Sequence, residues 1–221
     1  MFRWAANLKE PFSGLSHWVG AILAVVGTIL LLAISRGNPT KIVAFSVYGA
    51  ALIFLFVASS LYHSLRTSEK TEQLLRKFDH AGIFLLIAGT YVPVCLLQFS
   101  HQAGAVLLGL QGLCAAVGIS GTFLLKRFPE VLNVVLYLIM GWMSVVMIGY
   151  MREHWPTYAT AWLVGGGIAY TVGAIIFSLD KPHLVPGKFS AHDLWHVFVL
   201  AGSASHFALM VSFVAPRAGI A

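Results

Sequence analysis

Six stretches of this chain carry no Asp, Glu, Lys or Arg: residues 11 to 35, 42 to 65, 80 to 125, 131 to 151, 154 to 179 and 194 to 216. Each is long enough to cross a ~30 Å hydrocarbon core, which takes ~20 apolar residues as a helix. The 80 to 125 stretch has 46 residues, so as one helix it would run about 69 Å, more than twice that thickness. It must fold back, and its polar break Phe99-Ser100-His101-Gln102-Ala103-Gly104 marks the turn. Seven transmembrane helices follow, at approximately 14–35, 42–65, 80–99, 103–125, 131–151, 157–179 and 193–215. The expected fold is an all-α integral membrane bundle, a single domain over residues 1–221 with no internal repeat.

Composition agrees with that reading. Charged residues make up 10% of the chain against roughly a quarter in an average soluble protein, too little polar surface to face water all round. The first apolar stretch runs to residue 35 with no A-x-A-like cleavage site, so it reads as the first span rather than as a signal peptide. Cys95 and Cys114 both fall inside spans, where free Cys behaves as a small hydrophobe, and neither a disulfide framework nor a thiolate metal site is expected. The net charge of +6 raises the question of nucleic acid, but the basic residues are scattered through short loops beside the spans. Anchoring at anionic headgroups accounts for them, and no nucleic-acid partner is expected.

Seven spans put the two termini on opposite sides. Arg3, Lys9, Arg66, Lys70, Arg76, Lys77, Lys126, Arg127, Lys181 and Lys188 fall on one side, and Arg36, Lys41, Arg152 and Arg217 on the other. Positive residues concentrate on the cytoplasmic face, which predicts a cytoplasmic N-terminus and an external C-terminus in a multi-pass protein of the cell membrane.

Ionisable side chains at or within spans are costly in lipid unless they face a bundle interior, so each is a functional candidate. On this topology His17, His63, Asp79, His80, Asp180, His192, Asp193 and His196 all reach the cytoplasmic level from five spans. The strongest local motif is His192-Asp193-Leu194-Trp195-His196. Histidines at i and i+4 differ by about 40° around a helix and by one turn in height, so both imidazoles can share a metal ion. Spacing alone leaves a chance pair open in a chain with nine histidines. His63 adds weight, since a catalytic zinc takes a third protein ligand and keeps an open position. Ser59 lies one turn from His63 on the same helical face. Asp79 enters at that level as a partner for a ligating His, as a general base, or as the N-cap of the third span. His80 points elsewhere and is expected to be structural, as is His206, about 15 Å deeper than His196. His17 reads as an interfacial anchor or as a partner for an acid, and Asp193 as a partner for a loop Lys.

Taken in order, Pro11-Phe12-Ser13-Gly14-Leu15-Ser16-His17-Trp18, Ser59-x3-His63, Phe78-Asp79-His80-x2-Ile83 running to Gly89-Thr90-Tyr91-x-Pro93, and His192-x3-His196 resemble the hemolysin III family. That family is the bacterial branch of the progestin and adiponectin receptor superfamily and is more distantly similar to alkaline ceramidases. The resemblance covers residues 11 to 215. It implies a seven-helix bundle with Zn2+ near the cytoplasmic face, ligands His63, His192 and His196, and Asp79 and Ser59 close to a water. Two classes of function are then expected. One is a membrane-embedded hydrolase of a lipid amide or ester, with membrane lipids as partners and a fatty acid as product. The other is a non-catalytic sensor or homeostasis protein with a structural zinc, with a cytolytic factor as a third possibility.

Overall fold

Proline and serine set where five of the helices begin. Pro11 and Pro39 occupy the first turn of theirs, where a missing N–H costs nothing. Asn38, Ser68, Ser100 and Ser190 cap four helix starts with their side chains, each accepting a backbone N–H three residues on. The computed structural model describes residues 8–125, 128–185 and 189–217. Seven helices are long and apolar enough to cross a membrane: α1 (Pro11–Ile34), α2 (Pro39–Ser64), α3 (Glu69–Gln98), α4 (His101–Leu124), α5 (Glu130–His154), α6 (Thr157–Leu179) and α7 (Ala191–Val214). Among the described residues there is no β-strand, and an isolated bridge joins Val185 to Phe189. The protein is a multi-pass, all-α membrane bundle. Four of the basic residues used above for orientation, Arg3, Lys126, Arg127 and Lys188, lie outside the described residues.

α3 differs most from the sequence reading. It begins at Glu69, eleven residues before His80, because a charge-free run marks the part of a helix that fits in lipid and not the helix itself. Glu, Lys, Gln and Leu are good helix formers, and Glu69 and Glu72 in the first turn complement the helix dipole. The cap of α3 is therefore Ser68, and Asp79 sits inside the helix, which corrects the N-cap role expected of it.

α1, α2 and α3 pack with their backbones close together. At Gly49 a Cβ would collide with Thr28 of α1, and at Gly89 it would crowd Ala51 of α2. Phe45, Tyr48, Leu52, Leu55 and Phe56 fill the interior between them. The opposite face of α1, with Val19, Ile22, Val26 and Ile29, stays exposed as a lipid-facing stripe. At the far end, Lys41 Nζ donates to the carbonyl of Ala215 at 2.7 Å and ties α2 to the end of α7.

α5 is not a regular helix. It runs as an α-helix over Glu130–Trp142, tightens to a 3-10 turn over Met143–Met147, and resumes over Ile148–His154. A change of pitch leaves backbone groups without their usual partners, and in an apolar interior these must be satisfied by neighbours. Gln111 Nε2 of α4 donates to the Met140 carbonyl at 2.8 Å. The Tyr91 hydroxyl of α3 donates to the Gly141 carbonyl at 3.0 Å and accepts the Ser144 N–H at 2.8 Å. Trp142 Nε1 donates to Thr171 of α6 at 2.9 Å. α5 and α6 bury few side chains of their own, among them Met140, Met151, Ala159 and Ala174. α5 stands off from α3 and α7 while α6 packs closely on α7, Gly166 against His206 and Gly173 against Trp195 and Phe198, and the two helices wall a cavity of about 1660 Å³.

Tyr91→Phe removes two hydrogen bonds at the break in α5. The expected result is a loss of ~1–3 kcal/mol in reversible unfolding from mixed micelles, with helix content retained.

Candidate metal centre

One end of the bundle gathers the start of α1, the end of α2, the first turns of α7 and the middle of α3. His63 is the last residue but one of α2 and is 1% exposed. His192 and His196 lie on the first two turns of α7, whose start is held by a reciprocal box. Ser190 caps the helix and the Asp193 side chain returns to the Ser190 N–H at 2.9 Å. Ser13 of α1 donates to the other Asp193 oxygen at 2.8 Å, so the carboxylate locks α1 to α7. That corrects the expectation of a loop-Lys partner for Asp193.

The three imidazoles converge. The ring centroid of His63 lies 4.9 Å from that of His192 and 4.6 Å from that of His196. His192 Nε2 and His196 Nε2 are 3.1 Å apart. One ring nitrogen from each of the three lies within 4.8 Å of the other two. Tetrahedral zinc at ~2.0–2.1 Å from imidazole nitrogen spaces its ligands by about 3.3 Å, so the α7 pair is already close to that distance. Neutral imidazole nitrogens presenting lone pairs to one point are a donor set suited to zinc and other late first-row metals. The trio can hold a metal ion.

Two residues flank the trio. Glu10, just before α1, contacts His63 Nδ1 through Oε2 at 2.6 Å. The hydrogen bond from His63 holds the Glu10 carboxyl below the usual carboxylate range, against the opposing effect of partial burial. An ionised carboxylate can only accept, so Nδ1 carries the proton and the Nε2 lone pair of His63 is left for a cation. Spacing analysis missed Glu10 because it stands outside the charge-free run, in what reads as a loop. The signal available was an acid directly before the first span, at the membrane level where the histidines gather. His17 is 2% exposed, its ring 4.0 Å from that of His196 and edge-on to Phe56 at 5.0 Å. Neither of its ring nitrogens has a hydrogen-bond partner among the described residues, nor has Nδ1 of His196. His17 is thus a fourth buried imidazole in the cluster and not an anchor at the membrane surface.

Ser59 and Asp79 line the same cavity as the three histidines, Ser59 at 2% exposure and Asp79 partly exposed. His80 contacts Asn133 Nδ2 at 3.5 Å, and its carbonyl accepts the Tyr137 hydroxyl at 3.0 Å, a structural placement. His206 lies deeper in the cavity wall, against the Leu163 carbonyl at 3.2 Å. From Asp79 to Val94, both on the wall, α3 rises about 22 Å, most of the ~30 Å core of a bilayer. Its lining over that distance is mainly apolar, with Ile83, Leu86, Ile87 and Val94 from α3.

His63→Ala leaves two ligands on one helix. The expected loss of affinity for a divalent transition metal exceeds the ~10–100-fold typical of losing a supporting residue, read by titration and by metal content after dialysis.

Residues 5–207 match the family model described as haemolysin-III related. The chain is 36% identical over 222 residues to Hemolysin-3 of Bacillus cereus, covering 99% of this chain and 98% of that one. It is 33% identical to a Hemolysin-3 homolog of Bacillus subtilis, over 90% of this chain and 91% of that one. A more distant relative is the monocyte to macrophage differentiation factor of Homo sapiens, 28% identical over 87% of this chain and 79% of that protein.

Proposed function

The chain belongs to the haemolysin-III-related family, and on that premise we propose that it is a zinc-dependent hydrolase of a lipid amide or ester, acting from within the membrane. The observation that carries the reading is the joining of two features. An apolar cavity of about 1660 Å³, larger than the ~300–1,000 Å³ of most ligand sites, has the three imidazoles on its wall. A long acyl chain fits such a space, with its polar linkage at the histidine end.

His63, His192 and His196 are the residues that would hold the ion. When bound, zinc supplies Lewis acidity, bringing the pKa of water towards ~7 and polarising a carbonyl. Asp79 accepts the proton of the attacking water and returns it to the leaving amine or alcohol. Ser59 donates a hydrogen bond to the oxyanion that develops on the substrate carbonyl. Leu86, Ile87 and Val94 seat the acyl chain and keep bulk water from the reacting carbon. The balance of Lys and Arg supports a cytoplasmic setting for this end of the bundle, and in that setting fatty acid and headgroup part at the cytoplasmic face.

The test is fatty-acid release by purified protein from a panel of ceramide-like and acyl lipids, followed by mass spectrometry. His196→Ala is expected to abolish release. Asp79→Asn is expected to lower kcat by ~10²–10⁴-fold while zinc remains bound. Absence of turnover across the panel by zinc-loaded wild type, with chelation lowering only thermal stability, would contradict the proposal and identify the metal as a staple between α2 and α7.

A further inference from the structure

The segment before α1 is fastened along the end of α2. The Lys9 N–H donates to the Ser64 carbonyl at 3.3 Å and the Glu10 N–H to the His63 carbonyl at 2.8 Å. Lys9 Nζ pairs with Glu72 of α3 at 2.9 Å and lies 3.9 Å from the centre of the Tyr62 ring. Glu10 therefore grips one residue at two points, the carbonyl of His63 through its N–H and the imidazole through its carboxylate.

The direction of that carboxylate is informative. Glu10 is the N-cap residue of α1, where an acidic side chain commonly turns back to accept N–H groups of its own first turn. It makes no such bond here and reaches across to His63 Nδ1 instead. A local interaction has been given up for one that fixes the tautomer and rotation of a buried imidazole. Carboxylates that accept from the far nitrogen of a ligating histidine orient its ring and raise its basicity.

We propose that Glu10 is a positioning residue for the metal centre, holding His63 with Nδ1 protonated and Nε2 directed at the cation shared with His192 and His196. The proposal rests on the reading of the trio as a metal site. It makes the Glu10 carboxylate, carried by the short segment preceding the first helix, part of the centre through its bond to His63.

The experiment titrates zinc into the metal-free, full-length protein in detergent and reads the 15N shifts of His63 in the same samples. Wild type is compared with Glu10→Gln, with Glu10→Asp, and with Lys9→Met, which loosens the same segment without touching His63. Glu10→Gln is expected to bind zinc ~10–100-fold more weakly at an unchanged metal-free melting temperature. Its His63 signal should move away from a single Nδ1-protonated form. Glu10→Asp, one methylene short, should fall between, and Lys9→Met should bind as wild type does. Wild-type affinity in Glu10→Gln, or an equal loss in Lys9→Met, would overturn this proposal while leaving the metal site standing. A wild-type protein that takes up no zinc would overturn the metal reading and this proposal with it.

Discussion

Imidazoles packed against one another on the wall of a mainly apolar cavity need something to satisfy their lone pairs, since a buried polar group without a partner is destabilised by several kcal/mol in an apolar medium. His63, His192 and His196 present that problem in concentrated form, with His17 pressed against them. A shared cation would solve it for three nitrogens at once. The second nitrogen of His63 is already satisfied by Glu10. Much of the local architecture serves this convergence. The capping box at Ser190 fixes the start of α7, the Ser13 hydroxyl joins Asp193 to α1, and the Glu10 grip holds the end of α2.

The bundle is uneven, and the unevenness has a purpose. α1, α2 and α3 approach closely through small residues and form a rigid frame that carries His63, Ser59 and Asp79. α5 stands off from that frame while α6 packs on α7, and the α5 helix is interrupted, with carbonyls at its break bonded by Tyr91 and Gln111. A helix that changes pitch under such support can bow away from the frame without exposing unsatisfied backbone to lipid. The long cavity is the space so made, open along most of the depth of the bilayer and polar at one end.

Much of this was legible in the sequence. Lipid excludes charge, so uncharged runs translate directly into spans, and the turn at Phe99-Ser100 falls within the polar break at 99–104, whose remaining residues open α4. The histidine trio was legible because topology fixes depth and i, i+4 spacing fixes a helix face. Other features left no such trace. The start of α3 at Glu69 lies in a charged segment that a hydropathy reading assigns to a loop, which is also why Asp79 could pass for a cap. The 3-10 turn in α5 has no proline or glycine pair to announce it and depends on tertiary partners from α3 and α4. Glu10 escaped notice and the partner of Asp193 was misread for one reason: each is a charged residue at a span end whose partner comes from a helix remote in sequence.

The central claim is that side chains from α2 and α7 share one cation. Anomalous scattering recorded at the zinc edge from crystals of the zinc-loaded protein tests it most directly. A single peak ~2.0–2.1 Å from one ring nitrogen each of His63, His192 and His196 is the result predicted here. No peak at that position, or one bound to the α7 pair with the His63 ring turned away, would contradict the account.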